Sequence, residues 1–232
     1  MEKSYFRKIP RLGHFVPSLG MTRVTMKKKL VWTAVSFLFL IGFIVFTFLV
    51  KEDVFNRIDF DITVRLQDNL PIKYDSFLSS FSLVGSFEIL AGLILLIALL
   101  RKKIISLLVF IPFAGAHVAE IIGKAFVHHP GPPFMFFRYN LDFLFPSSYV
   151  QTGSSYPSGH SLRTLFVSVI FFYLIIKSKL KMPSKIFFIT LLVAFNGVML
   201  MSRVSLGEHW TSDVVGGALL GASAAFFSFL FL

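Results

Sequence analysis

Long runs of apolar residues, separated by short polar stretches, dominate the chain. A helix of about 20 apolar residues, rising 1.5 Å per residue, crosses the hydrocarbon core of a bilayer. Six runs meet or approach that length: Leu30–Val50, Phe81–Leu100, Ile104–Val127, Gly159–Ile176, Ile186–Met201 with a polar extension, and Val214–Leu232. The pattern predicts an all-α, polytopic membrane protein with six transmembrane helices in one bundle. It divides the chain into a basic N-terminal segment, 1–29, and a six-span domain, 30–232.

Two connecting segments have patterns of their own. Glu52–Leu70 places apolar residues at helical spacing among acids and arginines, which is typical of an amphipathic helix on the outer membrane interface. A plain connector is the alternative. The loop from His128 to Tyr156 is rich in Pro, Gly, Ser and aromatic residues, so it is too broken for a helix and too aromatic for a disordered linker. We expect this loop to cover a site at the membrane surface.

Composition supports the membrane assignment. Only 15% of the 232 residues are charged and 55% are hydrophobic, whereas about 25% of residues are charged in ordinary soluble domains. The sequence contains no Cys, which excludes a disulfide framework, a thiolate nucleophile and sulfur-ligated metal centres.

The basic residues indicate the orientation of the chain. The formal net charge is +11, and 15 of the 23 Lys and Arg lie in the N-terminal segment, at 101–103 and at 177–185, which a six-span chain places on one side. By the positive-inside rule that side is the cytoplasm, so we expect both termini there. Because these residues are spread over short loops and do not form one patch, we do not expect nucleic-acid binding.

Ionisable residues inside a predicted span are candidates for function because they are costly in lipid. His117, Glu120 and Lys124 fall on one stripe of the third span, and Glu120 and Lys124 also have the spacing of a helical ion pair. A buried pair that only fixes helix packing is the alternative to a functional site.

Two short polar motifs mark the ends of later spans. The fourth span begins with Pro157-Ser158-Gly159-His160, where glycine lets a ligand approach the backbone and the unpaired N–H groups of a helix start attract an anion. The second motif contains Arg203, His209 and Asp213 in the spacing Ser-Arg-x5-His-x3-Asp. An aspartate one turn after a histidine can hold one imidazole nitrogen and leave the other free as a nucleophile or base.

In this order the motifs resemble those of the type-2 phosphatidic acid phosphatase superfamily of membrane lipid phosphate phosphatases. The family pattern is Lys-x6-Arg-Pro, then Pro-Ser-Gly-His, then Ser-Arg-x5-His-x3-Asp, and the last two match at every fixed position. In the first, Lys124 and Pro132 match, but Gly131 stands where the family has Arg. Arg138 in the same loop, or Arg163 in the fourth span, could supply the missing guanidinium. Lost activity or a different head group are the alternatives.

The resemblance implies metal-independent hydrolysis through a covalent phosphohistidine, without a cofactor. His209 would be the nucleophile, oriented by Asp213, while His160 would protonate the leaving oxygen and then activate water. The phosphate oxygens would be held by Lys124, Ser158, Gly159 and Arg203, with Arg138 as the candidate substitute for the family Arg.

The predicted site lies at the outer ends of the spans, so the expected substrate is an amphiphile with its head group on the extracytoplasmic face. Phosphatidic acid, phosphatidylglycerol phosphate and a polyprenyl diphosphate such as undecaprenyl diphosphate all fit, with a slight preference for the last because an outward-facing site suits carrier recycling. A lipid phosphotransferase on the same scaffold, a non-catalytic lipid-phosphate-binding pseudophosphatase, and a transporter or channel are the rival functions. The expected partners are the lipid substrate and the bilayer, and the sequence leaves the oligomeric state open.

Overall fold

A computed structural model describes residues 19–102, 104–143, 145–146 and 153–232. Positions 1–18 of the predicted basic segment lie outside these residues. The described part consists of helices and turns, with no β-strand within those ranges. Its α-helices are α1 (Leu19–Lys51), α2 (Asn56–Asn69), α3 (Asp75–Ser82), α4 (Phe87–Leu100), α5 (Phe110–Phe126), α6 (Gly159–Lys177), α7 (Met182–Ser205) and α8 (Thr211–Ser228). The predicted all-α class is confirmed, and α1 extends back into the basic segment.

Four helical segments are long and apolar enough to cross a membrane: Met26–Lys51, Ile104–Phe126, Gly159–Lys177 and Met182–Ser205. The predicted second span is broken, because the short 3-10 helix Leu83–Gly85 and the extended backbone of Ser86 separate α3 from α4. The two halves meet at 46°, and counting them as one span gives five. Helix α8 is not in that count, since it carries several Gly and Ser residues. The number of six spans stays a prediction.

The segment Glu52–Leu70 forms a helix, but its protein-facing side is polar. Asp59 and Thr63 of α2 are buried, whereas Ile58 and Phe60 are about half exposed. Asp59 accepts hydrogen bonds from the backbone N–H of Ser212 (2.8 Å) and from its hydroxyl (2.6 Å). An acceptor at a helix start pairs an N–H group that has no partner within the helix. Helix α2 therefore caps the start of α8.

Helix α8 crosses α6 and α1 through small residues. A Cβ atom added to Gly217 would lie 2.2 Å from the carbonyl oxygen of Ser158, and one added to Gly221 would lie 2.1 Å from that of Leu162. Only glycine permits this approach of two backbones. Since lipid tails are as apolar as the side chains, close packing between small residues is what holds such helices together in a membrane. The Gly217–Gly221 pair thus fixes the distance between α6 and α8.

The long loop after α5 folds over the turn between α7 and α8. Its Arg138 backbone N–H donates to the carbonyl of Leu206 (2.9 Å), and the Gln67 amide of α2 donates to the carbonyls of Phe136 (2.6 Å) and Ser205 (2.9 Å). Gly207 in the turn has a φ of 69° and lies against the Phe136 carbonyl. These contacts bring the end of α5, the start of α6, the end of α7 and the start of α8 to one end of the bundle.

Candidate active site

A cavity of about 580 Å³ opens between these four helix ends and the loops beside them. Its polar lining includes five of the predicted site residues: Lys124, Gly159, His160, Arg203 and His209. Glu120, Arg163 and Glu208 also line it, together with Gly131 of the incomplete first motif. The structure therefore brings residues from all three motifs to one site.

His209 lies in the turn before α8, next to Asp213 in the first turn of that helix. Its Nδ1 is 3.4 Å from Oδ2 of Asp213, and its backbone N–H donates to the carbonyl of Arg203 (3.1 Å). The side chain of Asp213 is fully buried, and its Oδ2 also accepts the backbone N–H of Trp210 (2.8 Å). Nδ1 therefore faces the carboxylate, and the other ring nitrogen, Nε2, is the one that Asp213 does not hold.

His160 occupies the first turn of α6 and lines the same cavity as His209. Its Nδ1 lies 3.5 Å from a guanidinium nitrogen of Arg163. A Cβ on the preceding residue, Gly159, would lie 2.3 Å from Oε1 of Glu120, which explains the glycine. The hydroxyl of Ser158 is buried and has no hydrogen-bond partner among the described residues, and Ser158 does not line the cavity. Of the Ser-Gly pair, the structure brings only Gly159 to the cavity.

Three cations stand around the cavity, each beside a carboxylate. Lys124 Nζ is 2.9 Å from Oε1 of Glu120, which is the ion pair that the spacing predicts. A guanidinium nitrogen of Arg163 is 3.9 Å from the other oxygen of Glu120, and one of Arg203 is 2.6 Å from Glu208. Three cations against two carboxylates leave a positive excess, which favours an anionic ligand.

Two predicted polar residues lie elsewhere. Arg138 donates from Nε to Asp75 (2.9 Å) and from its other nitrogens to the carbonyls of Gln67 (3.2 Å) and Leu70 (3.0 Å), so it joins α2 to α3 and does not line the cavity. His117 packs edge-on against aromatic rings, with Nδ1 2.8 Å from the carbonyl of Phe113. Arg163 is thus the one of the two proposed substitutes that the structure brings to the cavity.

Sequence reasoning missed two buried residues beside the site, Asp59 and His129. His129 Nδ1 is 2.9 Å from Oδ1 of Asp213, the oxygen that faces away from His209. Burial raises the pKa of Asp59. Burial alone would lower the pKa of His129, but the hydrogen bond and the charge of Asp213 outweigh it and raise that pKa. The pair His128-His129 inside the first motif was the available signal for His129, whereas Asp59 had none.

Within the described ranges, no group of three His, Asp or Glu side chains is arranged to hold a metal ion. The metal-free mechanism remains a prediction, because the reaction itself has to be tested.

Comparison with known proteins places the chain in a family. A family model described as the PAP2 superfamily matches residues 91–232. The fold is similar to the crystal structure of the first transmembrane PAP2-type phosphatidylglycerolphosphate phosphatase from Bacillus subtilis, with a TM-score of 0.67 and 20% identity over 85% of this chain and 95% of that one. It is also similar to the crystal structure of Aquifex aeolicus LpxE, with a TM-score of 0.55 and 20% identity over 74% and 94%. No curated protein sequence matches the chain. The chain belongs to the PAP2 superfamily, the family that its motifs resemble.

Proposed function

We propose that this protein is a membrane lipid phosphatase that hydrolyses a lipid phosphomonoester or a polyprenyl diphosphate through a phosphohistidine, without a metal ion. One observation carries the proposal: His160 and His209, from two separate helix ends, line the same cavity as Lys124, Arg163 and Arg203. A binding protein would need the cations but not the two histidines. The structurally similar B. subtilis protein is a phosphatidylglycerolphosphate phosphatase, and this likeness and the family membership support the proposed activity.

The reaction follows from the positions of the two histidines. Nε2 of His209 attacks phosphorus as the bond to the leaving oxygen breaks, and His160 gives that oxygen its proton. His160 then takes a proton from water, whose oxygen attacks phosphorus while the P–N bond breaks and inorganic phosphate leaves. Asp213 holds Nδ1 of His209 and stabilises the positive ring of the intermediate. The protein ends the cycle with both histidines in their starting states.

The phosphate oxygens carry the charge that builds up in each step. The ammonium group of Lys124 and the guanidinium of Arg203 lie at the cavity wall, where they can donate hydrogen bonds to the phosphate oxygens. The backbone N–H groups at the start of α6, around Gly159, are the positive end of a helix and also attract the phosphate. Arg163 takes the role of the Arg that Gly131 replaces, since it lines the cavity beside His160.

The site faces the extracytoplasmic side in this proposal, with both termini in the cytoplasm. Arg101 and Lys102 after α4, and the segment 177–185 between the end of α6 and the start of α7, lie at the bundle end opposite the cavity, and they hold part of the basic excess. A site at the outer head-group level suits a lipid whose tail stays in the bilayer. A polyprenyl diphosphate remains our preferred substrate among the lipid phosphates.

A phosphate-release assay tests both the activity and the side of the membrane on which the site lies. Short-chain phosphatidic acid, phosphatidylglycerol phosphate and a polyprenyl diphosphate are given to the purified protein and to intact spheroplasts. We expect phosphate release in excess chelator, at similar rates before and after detergent is added to the spheroplasts. Release only after detergent would place the site on the cytoplasmic face. A strict requirement for Mg²⁺ would contradict the phosphohistidine reaction, and transfer to an added lipid alcohol in place of water would favour the phosphotransferase.

The role of Arg163 has its own test. Arg163→Gln should lower kcat/KM by about ten- to a hundredfold, the size of one lost charge-assisted hydrogen bond. Adding Gly131→Arg should recover part of the loss, because a Cβ at position 131 would meet only Ser155, at 3.5 Å or more. Arg57→Gln on the exposed face of α2 is the matched control. If Arg163→Gln is as active as this control, the family Arg has no substitute at Arg163.

A further inference from the structure

We propose that His129 is a positioning residue for the nucleophile: it holds the carboxylate of Asp213 in the orientation that presents Oδ2 to His209. The inference rests on the proposed function, because it concerns how His209 is prepared for attack. His129 does not line the cavity.

The geometry divides the carboxylate of Asp213 between two histidines. Oδ1 is 2.9 Å from Nδ1 of His129, and Oδ2 is 3.4 Å from Nδ1 of His209. The backbone N–H of Trp210 fixes Oδ2 from a third direction at 2.8 Å. Asp213 is fully buried and His129 is 3% exposed, so water does not compete for these bonds. Without the bond from His129, Oδ1 loses this partner, and the carboxylate is held less firmly in the orientation that presents Oδ2 to His209.

His129 is itself held in place by the chain that leads into α6. Its carbonyl accepts the N–H of Ser155 (2.9 Å), the hydroxyl of Ser155 (3.0 Å) and that of Ser154 (3.2 Å), and its own N–H donates to Val127 (2.9 Å). Ser154 and Ser155 directly precede the Tyr156-Pro157-Ser158 turn that starts the helix of His160. The hydrogen bonds of His129 therefore link the segment that leads to His160, the proposed acid, with Asp213, which holds the proposed nucleophile His209.

Charge gives His129 a second effect on the site. It faces the carboxylates of Asp213 on α8, Asp59 on α2 and Asp53 in the turn before α2, and His209 lies on the far side of Asp213. A protonated His129 offsets this negative charge next to the nucleophile.

Two substitutions separate the hydrogen bond from the charge. His129→Asn keeps an N–H donor at the same number of bonds from the backbone as Nδ1 but carries no charge, whereas His129→Ala removes both. The neighbouring His128 is exposed, so His128→Asn is the matched control. Each variant is purified, its folded fraction is measured, and kcat and KM are determined with one short-chain lipid phosphate.

We expect His129→Ala to lower kcat by about ten- to a hundredfold with KM unchanged, since misplacing a reacting group by about 1 Å costs up to a hundredfold. His129→Asn should recover most of that kcat at the pH optimum.

A loss that only follows the folded fraction, with kcat per folded molecule unchanged, would show a structural role and overturn the inference. So would a His129→Ala protein as active as His128→Asn. The proposed function is tested separately by phosphoenzyme trapping with His209→Ala in the same assay. If that variant still forms the phosphoenzyme and turns over, the proposed function fails; if it is inactive while His129→Ala is normal, only the role of His129 fails.

Discussion

His209→Ala will form no phosphoenzyme and will release no phosphate from any lipid substrate. In the proposed reaction the imidazole of His209 is the group that Asp213 positions for attack, and removing the nucleophile of a comparable covalent enzyme lowers kcat by about a millionfold. His160→Ala should be less severe when the leaving group needs no proton. With a nitrophenyl phosphate, for example, we expect phosphorylation of His209 to continue slowly while release by water stalls. Acid-labile label that accumulates on the protein measures this step.

The difference between the two histidine variants is what identifies their roles. Both side chains line one cavity, so loss of binding alone would affect them alike. Lys185→Ala, in the first turn of α7 at the opposite end of the bundle, serves as a control for expression and membrane insertion. Full hydrolysis by His209→Ala would refute the assignment, and label trapped on His209→Ala but not on His160→Ala would exchange the two roles.

Gly217→Leu will separate α6 from α8 and remove most of the activity. Its side chain would have to occupy the position of the Ser158 carbonyl, which is backbone and cannot move aside without shifting the start of α6. His160 stands two residues after Ser158, while His209 is held by the start of α8. A shift of about 1 Å between them should lower kcat/KM by about a hundredfold. Kinetics in detergent, together with the thermal unfolding midpoint, measure the effect.

Gly197→Ala on α7 is the matched control, because a Cβ there meets nothing within 4 Å. It should match the wild-type protein in both measurements. Gly217→Ala should fall between the control and the leucine variant, since even one methyl group meets the Ser158 carbonyl. Equal activity of Gly217→Leu and Gly197→Ala would show that the close crossing does not set the distance between the histidines.

Local spacing explains which parts of this site could be read from the sequence. His209 and Asp213 are four residues apart and share one helix start, and Gly159 and His160 begin another, so their relation depends on short-range geometry. The bonds that complete the site join distant positions: Asp59 pairs with Ser212 across 153 residues, and His129 with Asp213 across 84. No periodicity predicts such pairs.

The helices likewise include some that the sequence predicts and one break that it does not. Apolar runs predicted α1, α5, α6 and α7 well, since three of the runs each lie within one α-helix and the run Ile104–Val127 consists of the 3-10 helix Ile104–Val109 followed by α5. The second run did not predict the break between α3 and α4, because Ser82, Gly85 and Ser86 are too few to change its average character. Arg138 was expected at the cavity because it is close to Lys124 along the chain. Its guanidinium instead pairs with Asp75, which the position of Arg138 in the loop does not predict.

The capping of α8 by α2 bears on whether this chain can be divided. The family match begins at residue 91, after α1, α2 and α3. Yet Asp59 holds the start of α8, Gln67 holds the end of α7, and Thr47 of α1 bonds the Tyr156 hydroxyl at 2.8 Å. The part of the chain that the family model matches, residues 91–232, therefore depends on the helices before it for these contacts. A chimera or a minimal enzyme made from this chain has to carry its first three helices as part of the catalytic unit, although their sequence shows no family motif.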